Sequence, residues 1–175
     1  MKDYEFTLRF TRVSTGADLD GLVDRRFEQG CDDALVGVGH PGRIALDFTR
    51  RANSAREAVL SAIADVRRAI PEARLVEVAP DLVGATDVAD LVGCSRQNVR
   101  QLMVNSRSSA PAPVHEGRQA IWHLAPVLDW LVREKRYVVD PSLLELAATT
   151  MLVNTTVDSM SSEPAAQEEI RALFV

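Results

Sequence analysis

Cysteine is almost missing from this 175-residue chain: Cys31 and Cys94 are the only two, and neither belongs to a C-x-x-C pair. That excludes a disulfide framework. Long apolar runs are missing too. Without about 18 consecutive apolar residues there is no candidate for a membrane-spanning helix. The opening MKDYEFTLRF lacks the basic start and apolar core of a secretory signal, so a cytoplasmic location is expected. Histidine is scarce. His115 and His123 have no Cys, Asp or Glu cluster around them to complete a metal site, so no metal is expected. The stretch Gly37-Val38-Gly39-His40-Pro41-Gly42 lacks the Lys-Ser/Thr ending of a phosphate loop and reads as a hairpin turn. Asp32, Asp33 and Asp47 form no triad with a nucleophile and a base. No enzyme and no cofactor are expected.

A large excess of charge of one sign is also missing. Residues 1–80 carry 12 basic and 13 acidic side chains, residues 81–140 carry 7 and 7, and residues 141–175 carry 1 and 5. The net charge of −5 therefore comes mostly from the tail. Between Cys94 and His123 the balance is reversed: Arg96, Arg100, Arg107 and Arg118 stand against Glu116 alone.

The first eighty residues alternate two periodicities. Residues 4–10 place Tyr4, Phe6, Leu8 and Phe10 on one face of a strand, with Glu5, Thr7 and Arg9 on the other. Residues 18–29 put Leu19, Leu22, Val23 and Phe27 at helical spacing. Residues 34–38 and 43–49 read as strands joined by the Gly-Pro turn. Residues 54–70 form a helix with a Ser54/Glu57 capping box, stopped by Pro71. Residues 74–78 form a last strand. The β-α-β-β-α-β order predicts an α+β chain with a ferredoxin-like domain over residues 1–79, its sheet four-stranded and antiparallel. The aromatics fall on the inner face, which argues against base stacking on the sheet. Asp47 is expected to pair with Arg9 across strands. Asp33 is expected to be a solvated turn residue. Arg50, Arg51, Arg56, Arg67 and Arg68 read as a solvated face.

Beyond Pro80 the pattern changes. In ATDVADLVGCSRQNVRQLMV, residues 85–104, Val88, Val92, Cys94, Val99 and Leu102 are spaced to face inward. Cys94 reads as a small buried hydrophobe. Ala89 lets two helices approach, Gly93 suits the turn, and Ser95 suits the next N-cap. The spacing predicts a helix-turn-helix that turns Ser95, Arg96, Gln97, Arg100 and Gln101 outward from a recognition helix over 95–104. Arg and Gln are the side chains that read guanine and adenine edges in the major groove. Thr86, Arg107 and Arg118 complete the expected DNA contacts. A Ser/Pro-rich loop follows, then a hairpin over 114–124 turning at Gly117, then a helix over 126–137 anchored by Trp130. Helix-turn-helix, hairpin and helix make a winged domain over 81–137.

These residues also carry a resemblance. Ser95-Arg96-Gln97-Asn98-Val99, Pro113, Gly117-Arg118 and Trp130-Leu131 stand as in the winged-helix branch of MerR-type regulators and AlpA-like excisionases. The likeness covers residues 85–132. It implies that Arg118, at the wing tip, contacts the DNA backbone or minor groove. Two features depart from the family: the loop over 105–113 is long, and the extra domain precedes the reader instead of following it.

Residues 141–160 are expected to form a C-terminal helix and the favoured surface of a homodimer. Residues 161–175 form an acidic, apolar-ended tail that offers itself to a protein partner. The expected function is a transcriptional regulator on double-stranded DNA. The alternatives are an antitoxin or adaptor that binds a protein and autoregulates its operon, and an excisionase-like recombination accessory factor.

Overall fold

The computed structural model describes residues 1–11, 33–37, 42–106, 108–160 and 162–174, the Val36 side chain excepted. The helix expected over 18–29, Cys31, Asp32, most of the Gly-Pro turn and Arg107 lie outside the described residues. The chain is mixed α+β with antiparallel sheets.

A four-stranded sheet is built from β1 (Lys2–Thr11), β2 (Ala34–Gly37), β3 (Arg43–Ala52) and β4 (Arg74–Ala79), in the order β2-β3-β1-β4. β1 and β3 are longer than expected and pair along their whole length, Lys2 opposite Ala52 and Thr11 opposite Arg43. Strict alternation buries Tyr4, Phe6, Leu8 and Phe10 from β1 and Ile44, Leu46 and Phe48 from β3. Phe6 and Phe48, opposite each other, stack at 5.3 Å. Helix α1 (Ala55–Ala69) covers this face with Ala55, Ala58, Val59, Ala62 and Val66. Its small residues let the helix lie close to the aromatics.

The structure departs from the sequence expectations at several side chains. The α1 cap is half of a capping box: Ser54 Oγ accepts from the Glu57 amide at 3.1 Å, but the Glu57 carboxylate takes the N–H of Asn53, one residue before the cap. Arg9 does not meet Asp47. The register sets Arg9 opposite Ala45 and Glu77, and it pairs with Glu77 at 2.7 Å; Asp47 stands opposite Thr7 and accepts its hydroxyl at 2.6 Å. Arg50 is not on a solvated face, nor is Asp33 a solvated turn. Arg50 is 9% exposed, grips Asp33 with two nitrogens (2.7 and 2.8 Å), and reaches Asp65 of α1 at 2.6 Å. These bonds hold the guanidinium charged, with a pKa raised above its ordinary value by Asp33 foremost.

After the cis Ala79–Pro80 bond, β5 (Leu82–Val83) leads into α2 (Ala85–Val92) and α3 (Arg96–Asn105). Strands β6 (His115–Glu116) and β7 (Ala120–His123) form a hairpin, and β7 also pairs with β5. Helix α4 (Leu124–Lys135) begins two residues earlier than the Pro126 signal suggests, because the Leu124 amide is taken by the Asp81 carbonyl at 2.7 Å. Arg136, at φ 56°, ends it. A second core gathers Val83, Val88, Val99, Met103, Trp122, Leu124, Val127, Leu128 and Leu131.

Helix α5 (Pro141–Met160) joins the two cores: Leu146 belongs to the first and its neighbour Ala147 to the second. The side of α5 bearing Thr150 and Asn154 is buried within the chain, while Leu152 and Met160 of the same helix are exposed. Asn154 accepts the Val78 N–H (2.8 Å) and donates to the Val78 carbonyl (2.9 Å) and to Asp81 (2.7 Å). The other Asp81 oxygen lies 2.7 Å from His123 Nδ1. Beyond α5, the tail forms α6 (Pro164–Arg171), with no buried residue.

Candidate nucleic-acid interface

Short-range chemistry sets the relation of α2 to α3. Gly93 closes α2 at φ 69°, ψ 37°, a left-handed conformation that costs glycine nothing and a β-branched residue much more. Two residues later Ser95 caps α3, its Oγ accepting the Asn98 amide at 3.1 Å. Val88, Ala89 and Val99 are buried between the helices, and Val92 and Leu102 pack beside them. Cys94 is half-buried, not fully buried, at the rim of this core. Met103, one turn beyond Val99, is buried in the same core as Trp122, a position that the helical spacing of the inward residues alone did not mark.

The outer side of α3 carries Arg96, Gln97, Arg100 and Gln101, all exposed. Residues four apart on a helix share a side, so Arg96 stands over Arg100 and Gln97 over Gln101. Arg96 and Arg100 border a groove of about 530 Å³ between α3 and the hairpin. Thr86, exposed in the first turn of α2, lies on the same groove, and Glu116 and Gln119 of the hairpin form its far wall. The structure thus brings Thr86, Arg96 and Arg100 together. Gln97, Gln101 and Ser95 are exposed but do not line the groove, and the Ser95 hydroxyl already accepts a capping bond. Arg118 is exposed at the hairpin tip, outside the groove. Arg107 lies outside the described residues. Among the described residues, Arg96, Arg100 and Arg118 form no ion pair, whereas Arg9, Arg68 and Arg133 each have one and Arg50 has two.

The long loop after α3 is held by the two tryptophans. Trp122 Nε1 donates to the Pro111 carbonyl at 3.1 Å, and Trp130 Nε1 reaches Ser109 Oγ at 3.4 Å. The loop forms a wall of the groove through Ala110, Pro111, Ala112 and Pro113. α3 is further tied by Asn98, whose amide donates to the Tyr137 hydroxyl at 3.1 Å. The sequence signal for Trp130 as anchor was visible; the indole-to-loop bonds were not, because they join residues 11 and 21 positions apart.

No known family, curated protein or solved structure matches this chain.

The chemistry of the groove stands on its own residues. Two unpaired guanidiniums four residues apart suit planar or tetrahedral oxygen anions, and exposed glutamines beside them suit base edges. Glu116 opposes an anion on the far wall, so the net positive character is confined to the α3 side.

Proposed function

We propose that this protein is a sequence-specific transcriptional regulator of double-stranded DNA, with α3 in the major groove and the β6–β7 hairpin as a wing. The observation that carries this reading is the convergence of Thr86, Arg96 and Arg100 on one groove between α3 and the hairpin, with Gln97 and Gln101 exposed beside it. In this reading Arg96 and Arg100 bind phosphate and guanine, Gln97 and Gln101 read bases, and Arg118 touches the backbone from the wing tip. The domain is of winged helix-turn-helix type and resembles the MerR and excisionase branch. We read the preceding unit as ferredoxin-like: the order β2-β3-β1-β4, with α1 between β3 and β4, is the one such a chain produces. The protein works in the cytoplasm as a homodimer, since one module with few base contacts seldom reaches useful specificity. No catalytic step belongs to this reading.

The test is fluorescence anisotropy on a labelled duplex spanning the region upstream of the protein's own gene. Arg96→Ala/Arg100→Ala is expected to lose about 2–4 kcal/mol, roughly 30- to 1,000-fold in Kd. Its salt dependence should also become shallower by about one to two in log–log slope. Gln97→Ala/Gln101→Ala should keep the salt slope and lose discrimination between sequences. Equal affinity of the arginine variant and wild type at every salt concentration rejects the reading.

A second reading, an antitoxin or adaptor that also binds DNA, has one observation in its favour. Ile170, Leu173 and Phe174 are exposed together on and after α6.

A further inference from the structure

The sheet has an unfinished edge. β4 pairs with β1 only from Thr7 to Thr11, so on that side residues 2–6 have no strand partner among the described residues. Asn154 reveals which backbone groups are left there. Its amide holds both the N–H and the carbonyl of Val78, so those two groups point away from β1. Leu8, opposite Val78, is therefore turned toward β3. Antiparallel ladders alternate residue by residue. Thr7 is then turned toward β4, where Ala79 meets it, and Glu5 and Asp3 present their N–H and carbonyl groups to the same side, past the end of β4.

A groove of about 600 Å³ runs along these groups. Leu91 of α2 and Leu143 of α5 wall it, and Pro80 bounds it where the chain leaves the sheet. Proteins blunt sheet edges with Pro, Lys, bulges or a covering element. The β4 edge is plugged at Val78, where Asn154 takes both backbone groups. The open stretch of β1 carries one Lys, Lys2, and two acids, Asp3 and Glu5, whose side chains are exposed and make no ion pair among the described residues.

We propose that the open β1 edge captures, by strand addition, an extended segment of a partner protein in which basic and apolar residues alternate. Strand addition takes its affinity from main-chain hydrogen bonds and its selectivity from alternate side chains. An added strand would turn one set of side chains to Asp3 and Glu5 and the other to the apolar walls. Five residues of extended chain, about 17 Å, cover the open length. Charge selects the occupant. Asp47 and Asp140 line the same groove, and the Ser142 hydroxyl and amide hold the Asp140 carboxyl below its usual range. The chain's own tail, with Glu163, Glu168 and Glu169 against Arg171, is a poor fit, and nucleic acid is repelled. The proposal is independent of the DNA reading, since it uses the opposite end of α2 and none of the arginines.

The test uses the full chain and, as probe, an acetylated hexapeptide alternating lysine and valine. Amide hydrogen exchange should find Asp3 and Glu5 unprotected in the free protein, with Tyr4 and Phe6 protected by β3. Added peptide should then slow Asp3 and Glu5 at least about tenfold. In anisotropy titrations, the same peptide N-methylated at alternate residues should bind about tenfold more weakly for two lost hydrogen bonds. Glu5→Lys, a surface change that leaves the core untouched, should weaken the unmodified peptide by a similar factor, and a glutamate–valine peptide should not bind. Asp3 and Glu5 already protected in the free chain, equal binding of the N-methylated peptide, or no binding up to about 1 mM would each overturn the proposal.

Discussion

Replacing Asn154 with Ala should destabilise the protein by about 3–5 kcal/mol in urea denaturation. One side-chain amide satisfies three groups, the Val78 N–H, the Val78 carbonyl and Asp81 Oδ2. Val78 is 0% and Asp81 1% exposed, so water does not replace the amide at the surface. A buried group left without its partner costs about 1–3 kcal/mol, more for a charged one, and neighbouring losses do not add fully. Asn154→Asp separates hydrogen bonding from volume. It keeps the shape, loses both donated bonds, and sets a carboxylate against that of Asp81, so it should cost at least as much. Thr156→Ala, two residues along the same helix on its exposed side, is the control and should stay within about 0.5 kcal/mol of wild type. A cost below about 1 kcal/mol for Asn154→Ala would mean that the junction is not held by these bonds.

Arg50→Met should cost about 3–4 kcal/mol, for a different reason. Methionine fills much of the space, so little cavity opens. What is lost is the only link among the described residues that ties Asp33, just before β2, to Asp65 on α1. Breaking a buried pair by removing one partner costs about 3–5 kcal/mol, because the charges left behind have been taken out of water. The lower part of that range applies, since the Asp33 side chain is 26% exposed and recovers some hydration. The signature is rescue. In the Arg50→Met background Asp65 keeps only its exposed partner Arg68, so Asp65→Asn should cost little or restore some stability, whereas in the wild-type background the same change should destabilise. If Asp65→Asn destabilises both backgrounds equally, the acid is not held by Arg50.

Much of the fold was legible because its signals are local. Alternation from Tyr4 to Phe10 and the apolar stripe of α1 specify elements without reference to the rest of the chain. The same is true of Gly93 and Ser95, whose backbone preferences fix the turn between α2 and α3. Apart from the local capping box at Ser54, the misreadings share a cause: each depended on register or on distant partners. Arg9 meets Glu77, 68 positions away, because of a strand pairing that composition does not encode. Arg50 reads as surface in any window that omits Asp33 and Asp65. Asn154 looks like a weak point in a threonine-rich helix, and only the fold shows that it occupies a strand edge. At the candidate interface, the outward side chains of α3 were legible from helical spacing. The groove was not, since its walls come from three separate stretches.

The adjacency of Leu146 and Ala147 carries a last consequence. Successive residues on a helix are turned by about 100°, so α5 lies in a crease with one core on each side. The angle between the sheet and helices α2 and α3 is then set by the helical twist of α5, as a splint sets two bones. If the proposed dimer forms through the sheet unit, its two copies of α3 would be held at one distance. Such a dimer would accept operators of a single half-site spacing, and inserting a few base pairs between the half-sites should abolish cooperative binding.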